Sequence, residues 1–331
     1  MAERSSAPDN PAFGRGTLIV GLALVTIAAA LVAFAFAKLQ HHSDVGTLVY
    51  AGSQGIYEHD LATGTDTKLA SIPKDIEIAE PSPNGRFVAY ANRQGALWLY
   101  EIPTKRRYQV ADQATIPVGW SPDNKLVARE LVGNGDTVLI DPDAGRKGLI
   151  SGGAATQSLP VWISSSRFAI GDLADANASL LVDTQGSEQP VVHASFGVPL
   201  AASPDGTQLL YERDHKLSSA KITPSGIATS RVLFKGDAQV AATSAQGFVA
   251  LTGKDASGHS GIWVLETGTA LKRIVDGTVD WLVFSLDGSW IVYAQGGAIY
   301  DLPSRGGRPN RVSRSGVNVL TVLSFRVVPS A

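Results

Sequence analysis

The residues with the most obvious chemical potential are a serine and a histidine in a glycine-containing loop. Gly258-His259-Ser260-Gly261 places side by side two residue types that hydrolases use for nucleophilic catalysis. The Gly-x-Ser-x-Gly spacing of a nucleophile elbow is not met, and the chain has no residues left for the α/β-hydrolase domain that such propeller peptidases need. We therefore interpret Ser260 as part of a loop between two strands.

Two acidic segments resemble cation-binding loops. Asp141 and Asp143 alternate as in some calcium loops, but the glutamate that completes an EF-hand is missing downstream. A hairpin turn accounts for this pair better than a metal site does. Asp172, Asp175 and Asn177 form a second acidic loop, where a bound cation is the weaker alternative to a solvated turn.

Composition excludes several further kinds of site. The chain has no cysteine, which excludes disulfides, thiolate metal sites and a lipoprotein anchor. The six histidines include no pair at ligand spacing, and we interpret His59 as an exposed strand residue. The six tryptophans are scattered along the repeats, which favours packing over a cofactor-docking motif. We predict no metal, no cofactor and no enzymatic activity; the net charge of −2 gives no support for nucleic-acid binding.

A short turn motif recurs along the chain at intervals of about 41 residues, a period typical of repeat architectures. Clear copies are Trp120-Ser121-Pro122-Asp123, Ser203-Pro204-Asp205-Gly206 and Ser285-Leu286-Asp287-Gly288. Proline presets the backbone angle of a type I turn, and glycine suits the residue that leaves it. Each turn is followed by an apolar run such as Leu209-Leu210-Tyr211, so the motif predicts a hairpin.

Each repeat has room for four short antiparallel strands, which is typical of a β-propeller blade. Counting the turns predicts an all-β fold with seven blades, and six or eight blades remain the alternatives. The first repeat lacks its first strand, and an unpartnered strand from Val319 to Val328 ends the last one. We therefore expect this last strand to complete the first blade, which removes the open sheet edges.

An uncharged apolar segment of 21 residues, Thr17–Ala37, precedes the repeats. This length suits one transmembrane helix and exceeds a signal-peptide core, although Ala35-Phe36-Ala37 resembles a cleavage site. Arg15 and Lys38 flank the segment, and the weak excess of positive charge before it predicts a cytoplasmic amino terminus. The predicted organisation is a tail (residues 1–16), an uncleaved anchor (17–37), a spacer (38–45) and a propeller (46–331).

The repeat resembles that of TolB-like propellers. The resemblance lies in Trp120-Ser121-Pro122-Asp123, in the apolar strand after it, and in segments such as Ile56–Leu61 that lead into Thr63-Gly64. TolB-like propellers are bacterial periplasmic modules that mostly bind proteins. TolB itself carries an amino-terminal α/β domain where this chain has the apolar segment. The resemblance therefore implies the propeller fold, whereas the apolar segment and its flanking charges predict a single-pass protein of the bacterial inner membrane with its propeller in the periplasm or outside the cell.

The predicted function is therefore non-catalytic protein binding, as an accessory or stabilising subunit of a larger membrane complex. Its expected partners are other membrane or periplasmic proteins. Charged residues of the loops at one propeller face are the candidate partner-binding positions: Lys74, Asp75, Glu77, Arg93, Glu130, Asp172, Arg213, Asp214, Lys254 and Asp255. The alternative is a propeller enzyme or a small-ligand or sugar-binding protein with a site in the central funnel, where we expect Glu77 and Glu80 at the channel edge. A membrane anti-sigma factor ranks last.

Overall fold

The structure is a computed structural model. It describes residues 45–73, 76–111, 115–130, 136–145, 147–151, 158–171, 179–184, 191–193, 196–223, 226–266, 270–313 and 325–329. The predicted amino-terminal tail, anchor and most of the spacer, including Arg15 and Lys38, lie outside these ranges. Among the described residues, no helix is long and apolar enough to cross a membrane.

The described part of the chain is built from short antiparallel strands. Those of the first half are β1 (Thr47–Gly52), β2 (Gly55–Asp60), β3 (Asp66–Ala70), β4 (Ile76–Pro81), β5 (Phe87–Asn92), β6 (Leu97–Glu101), β7 (Arg106–Ala111), β8 (Thr115–Trp120), β9 (Leu126–Glu130), β10 (Thr137–Ile140), β11 (Lys147–Ser151), β12 (Val161–Trp162) and β13 (Arg167–Gly171). Those of the second half are β14 (Ser179–Asp183), β15 (Val191–His193), β16 (Val198–Ala202), β17 (Gln208–Glu212), β18 (Lys216–Thr223), β19 (Gly226–Thr243), β20 (Val249–Asp255), β21 (Ser260–Leu265), β22 (Lys272–Asp276), β23 (Trp281–Phe284), β24 (Trp290–Gln295), β25 (Ala298–Pro303), β26 (Asn310–Arg311) and β27 (Phe325–Val328).

These strands form six sheets. Five have four strands each, in the orders β27-β1-β2-β3, β4-β5-β6-β7, β11-β10-β9-β8, β12-β13-β14-β15 and β23-β24-β25-β26. The sixth sheet has seven strands and runs from β16 to β22. The all-β propeller architecture is supported, but the prediction of seven separate blades is wrong, because five four-stranded blades are present.

The difference arises at β19, which runs for 18 residues without a break. Its first half pairs with β18 and its second half pairs with β20. No proline lies between Leu233 and Val240 to remove a ladder hydrogen bond, so the chain passes from one partner strand to the next within a single strand. Lys235 and Asp237 consequently lie within a strand.

The two ends of the repeat array share one sheet, as the sequence predicts. Strand β27 pairs antiparallel with β1, with Thr47 opposite Val328 and Tyr50 opposite Phe325. The first and last sheets also pack against each other, because Leu48 and Tyr57 of the first sheet share a buried cluster with Val292 of the last. A paired first strand has no free edge for another chain to join.

The recurring turns connect the first and second strands of a blade through one repeated hydrogen-bond pattern. In the turn after β8, the Ser121 hydroxyl donates to Asp123 Oδ1 at 2.5 Å and accepts from the Lys125 amide at 2.9 Å. The turns that begin at Ser82, Ser203 and Ser285 repeat this arrangement. Asn124 occupies the position that is glycine in those three turns and has a φ of 64°, a left-handed conformation that asparagine tolerates.

We expect that weakening the closure destabilises the whole propeller. Val328 is 3% exposed in the closing strand, whereas Val232 is 48% exposed on β19. Removing two buried methyl groups by Val328→Ala should lower the free energy of unfolding by about 2 kcal/mol. The matched change Val232→Ala should stay within about 0.5 kcal/mol of wild type in urea unfolding. Equal losses in the two variants would show that the closing strand is not part of the core.

Candidate functional site

One cavity is bordered by strands from all six sheets. It has a volume of about 830 Å³. The strands that contribute residues to its wall are β4, β8, β9, β12, β16, the second half of β19, β23 and β27. Because each sheet contributes to the same cavity, these strands surround a common axis, and we call the cavity the central cavity.

Most of the wall of the central cavity is apolar. Its aromatic and proline side chains are Trp120, Trp162, Trp281, Pro83, Pro122, Pro160 and Pro199. Among the described lining residues only three are ionisable: Glu80, Arg129 and Arg326. A largely apolar concave site with a few polar groups is the usual form of a ligand-binding site.

Glu80 and Arg326 form an ion pair across two sheets. Arg326 Nη2 donates to Glu80 Oε1 at 2.6 Å. Glu80 lies on β4, and Arg326 is carried by β27, the strand that closes the ring. The Glu80 side chain is 4% exposed and that of Arg326 is 32% exposed, so only the cation has substantial contact with the solvent-filled space.

Burial raises the pKa of the Glu80 carboxyl to about 7, because desolvation of the carboxylate outweighs the opposing effect of the Arg326 guanidinium. The carboxyl group therefore changes its charge near neutral pH. A carboxyl group that is perturbed in this way and lines a cleft is a candidate functional group.

Two further polar groups border the same space. Arg129 is 9% exposed, and its Nη2 donates to the Ser158 carbonyl oxygen at 3.3 Å. Burial lowers the pKa of Arg129, although a guanidinium stays charged in proteins. The Trp162 indole N–H is buried and has no acceptor among the described residues, whereas the Trp120 indole N–H donates to the Glu80 carbonyl oxygen at 2.9 Å.

A second cavity of about 420 Å³ shares Glu80, Trp281 and Arg326 with the central cavity. Its other wall residues come from the ends of β19, β23 and β27 and from the turns that follow β16, β19 and β23. The ion pair therefore stands where two cavities meet, and Arg326 belongs to the wall of both.

The prediction for Glu80 agrees with its position in the cavity wall, but Glu77 does not line either cavity. The Glu77 carboxylate is exposed and lies 3.8 Å from Arg93 Nε. This ion pair joins the loop after β5 to the start of β4. Gln295 makes an equivalent connection in the last sheet, where its side-chain amide donates to the Thr278 carbonyl oxygen. The end of the second strand of a sheet, or the loop after it, therefore lies on the same face as the segment around the start of the first strand.

The other candidate loop residues are spread over this face. Arg213 and Asp214 stand in the tight turn between β17 and β18, where Asp214 has a φ of 52°. Lys254 is exposed on β20, and Asp255 at the end of that strand accepts from the His259 amide at 2.8 Å. Glu130 is half-buried at the end of β9. Lys74, Asp75 and Asp172 lie outside the described residues, so the role of this face in partner binding stays a prediction.

The turn predicted at Asp141 and Asp143 is confirmed, whereas the interpretations of Ser260 as a loop residue and of His59 as an exposed residue are wrong. Asp141 Oδ1 accepts from the Asp143 and Ala144 amides, as a turn requires. The His259 ring nitrogen Nδ1 lies 3.4 Å from Asp255 Oδ2, and Ser260 begins β21. His59 is 6% exposed and not an exposed strand residue, because its face of β2 packs against the last sheet. No group of three or more potential metal ligands occurs in the ranges that the structure describes.

No known family profile matches the sequence, and no curated protein is similar to it. Solved structures are similar in fold. TolB from Acinetobacter baumannii has a TM-score of 0.53 and 12% identity, over 84% of this chain and 66% of that protein, just under two thirds of its length. An oligogalacturonate lyase in complex with manganese has a TM-score of 0.54 and 16% identity, over 78% of this chain and 81% of that one. The β-propeller domain of Cps50 (Swd1) from Myceliophteria thermophila has a TM-score of 0.51 and 14% identity, over 72% of this chain and 86% of that domain.

The chain has a β-propeller fold. These identities are too low to carry an activity across, so the similarity concerns the fold alone. It supports the propeller that the TolB-like repeats imply.

Replacing the Glu80 carboxyl should remove a pH dependence of stability. Native Glu80 keeps its proton up to about pH 7, whereas an unfolded glutamate loses it near its ordinary pKa of 4.5. The native state is therefore favoured below that value and loses this advantage as the pH rises to 7. Relative to Glu80→Gln, wild type should lose on the order of 2–3 kcal/mol of unfolding free energy between pH 4.5 and pH 8.

Urea unfolding at several pH values measures this difference. Glu77→Gln, which removes an exposed carboxyl group from the same strand, is the matched control and should keep the pH profile of wild type. If the unfolding free energies of Glu80→Gln and wild type change in parallel over this pH range, the Glu80 carboxyl does not titrate near neutral pH.

Proposed function

We propose that this chain is a non-catalytic binding protein and that its ligand, or a segment of its partner, enters the central cavity. The observation that carries the proposal is the wall of that cavity, where one ion pair and one further arginine interrupt an apolar and aromatic surface. Such a wall supplies contact area through its tryptophans and fixes orientation through its few charges.

The cellular setting is part of the same proposal. A helix over residues 17–37 would hold the propeller at the outer side of a bacterial inner membrane, as an accessory or stabilising subunit among membrane or periplasmic proteins. The uncharged length of this segment and the TolB-like repeats support the setting. The loops around Arg93 and Arg213 are then the natural surface for a protein that inserts a segment into the cavity.

An enzyme is the second candidate, and Glu80 is the observation that favours it. A carboxyl group with a pKa of about 7 is suited to general acid–base catalysis near neutral pH. Oligogalacturonate lyase, one of the proteins with a similar fold, acts as an enzyme. Under this alternative, the species that binds in the cavity is converted, and Glu80→Gln binds it without converting it.

Filling the cavity tests the proposal. Val198 lines the central cavity and Val232 is exposed on the outside of the same sheet. Membranes that contain wild type, Val198→Trp or Val232→Trp are solubilised gently, and the retained protein or small molecule is identified by native mass spectrometry. We expect Val198→Trp to retain at least about ten-fold less of it than wild type, whereas Val232→Trp retains it fully.

Full retention by a folded Val198→Trp protein would contradict binding in the cavity. Loss of the retained species from an Arg213→Ser/Asp214→Ser variant alone would assign binding to the loop face. Recovery of wild type only as a free monomer would count against an accessory subunit, and conversion of the retained species by wild type would favour the enzyme.

A further inference from the structure

The two partners of the ion pair are unequally available to a ligand. The Glu80 carboxylate is almost completely buried, whereas the Arg326 guanidinium is about one third exposed and lines both cavities. A guanidinium has five N–H donors, and Arg326 directs one hydrogen bond to Glu80. Arg326 makes no other hydrogen bond to the residues that the structure describes, and its side chain is 32% exposed in the wall of both cavities.

The charge of the cavity wall favours an anion. The described lining residues contribute two guanidinium groups, Arg129 and Arg326, against the single carboxyl group of Glu80. The described segments of β8, β12, β16, β19 and β23 add no ionisable side chain to this wall. The net charge is therefore +1 when Glu80 is ionised and +2 when it is protonated. Charges interact more strongly in an apolar cavity than in water, so this excess selects negatively charged ligands.

We propose that the central cavity binds a ligand carboxylate on the Arg326 guanidinium and that the carboxylate enters together with a proton, which Glu80 accepts. This inference rests on the proposed binding function of the cavity. It names the chemical class of the ligand: an organic carboxylate, with an apolar part that packs against the tryptophans of the wall.

Proton uptake is expected because Glu80 and the ligand carboxylate compete for the Arg326 guanidinium. Ionised Glu80 occupies an Arg326 donor and repels a second carboxylate that approaches the same guanidinium. When Glu80 takes up a proton from solvent, the repulsion disappears and its O–H becomes a donor. The ligand carboxylate then replaces Glu80 as the counter-ion and receives the paired N–H bonds that a guanidinium offers to carboxylates.

The electrostatic setting of Glu80 places this exchange near neutral pH. Burial holds the pKa of Glu80 at about 7 in the absence of ligand, and Arg129 keeps its positive charge throughout. Binding of an anion beside a group of this kind should weaken as the pH rises through 7.

A matched pair of small probes tests the proposal. Benzoate carries a carboxylate on an aromatic ring, and benzamide is its neutral counterpart of similar shape. Their binding to the full chain is measured by ligand-observed NMR titration at pH 6 and pH 8. We expect benzoate to bind at least about ten-fold more tightly than benzamide at pH 6, and to lose about ten-fold of its affinity at pH 8. Benzamide binding should be the same at both pH values.

Three variants identify the groups responsible. Glu80→Gln should bind benzoate with no dependence on pH. Arg326→Gln should lose benzoate binding, and the double variant Glu80→Gln/Arg326→Gln, which leaves no unpaired buried carboxylate, should fold and show the same loss while keeping benzamide. Arg308→Gln, at an exposed arginine away from both cavities, is the control and should bind both probes like wild type.

The proposal is overturned if benzoate does not bind wild type, if benzamide binds equally well, or if the double variant keeps its preference for benzoate. If both probes bind wild type equally well and Val198→Trp abolishes the binding of both, the cavity is a binding site but does not select a carboxylate. Retention of the natural ligand by Val198→Trp would instead reject the cavity as the functional site.

Discussion

The pairing of β27 with β1 is the interaction on which both the ring and the candidate site depend. It gives the first sheet its fourth strand and covers an edge that would otherwise carry unpaired backbone groups. It also places Arg326 beside Glu80, which lies on the neighbouring sheet. The bond that joins them connects residues 246 positions apart, so the site exists only in the closed ring. The closure of the ring and the proposed binding site therefore both depend on one strand pairing.

The buried carboxyl group of Glu80 breaks the local pattern of its strand. The neighbours of Glu80 in β4, Ala79 and Pro81, are buried, and an apolar side chain at this position would avoid the cost of desolvating a charge. A buried ion pair seldom stabilises a protein more than apolar packing does, because the pair recovers only part of that cost. Residues whose type conflicts with their local structural environment, as a buried carboxyl group does, concentrate at functional sites. Under the proposal, the pair keeps a cation in the cavity and makes its availability to a ligand depend on a proton.

Much of the fold follows from short-range sequence signals, and the site does not. Turns such as Ser121-Pro122-Asp123-Asn124 predict hairpins because their hydrogen bonds lie within five residues. The closure of the ring could be predicted because the first repeat lacks a strand and the last repeat is followed by an unpartnered one. Strand β19 is continuous because no loop separates its two halves. The only sequence signal for this is weak: no proline lies between Leu233 and Val240. The burial of His59 depends on packing against the last sheet, which no local pattern reports. Arg129 and Arg326 appear as ordinary strand residues in the sequence, because their importance arises only when distant strands meet.

The order of the cavity residues along the chain has a consequence for the newly made protein. Arg326 follows every other residue of the cavity wall, from Glu80 onward. During synthesis the apolar wall is therefore exposed before its principal cation leaves the ribosome. Under the proposed carboxylate binding, recognition would begin only when the last strand has docked and Arg326 has joined the wall.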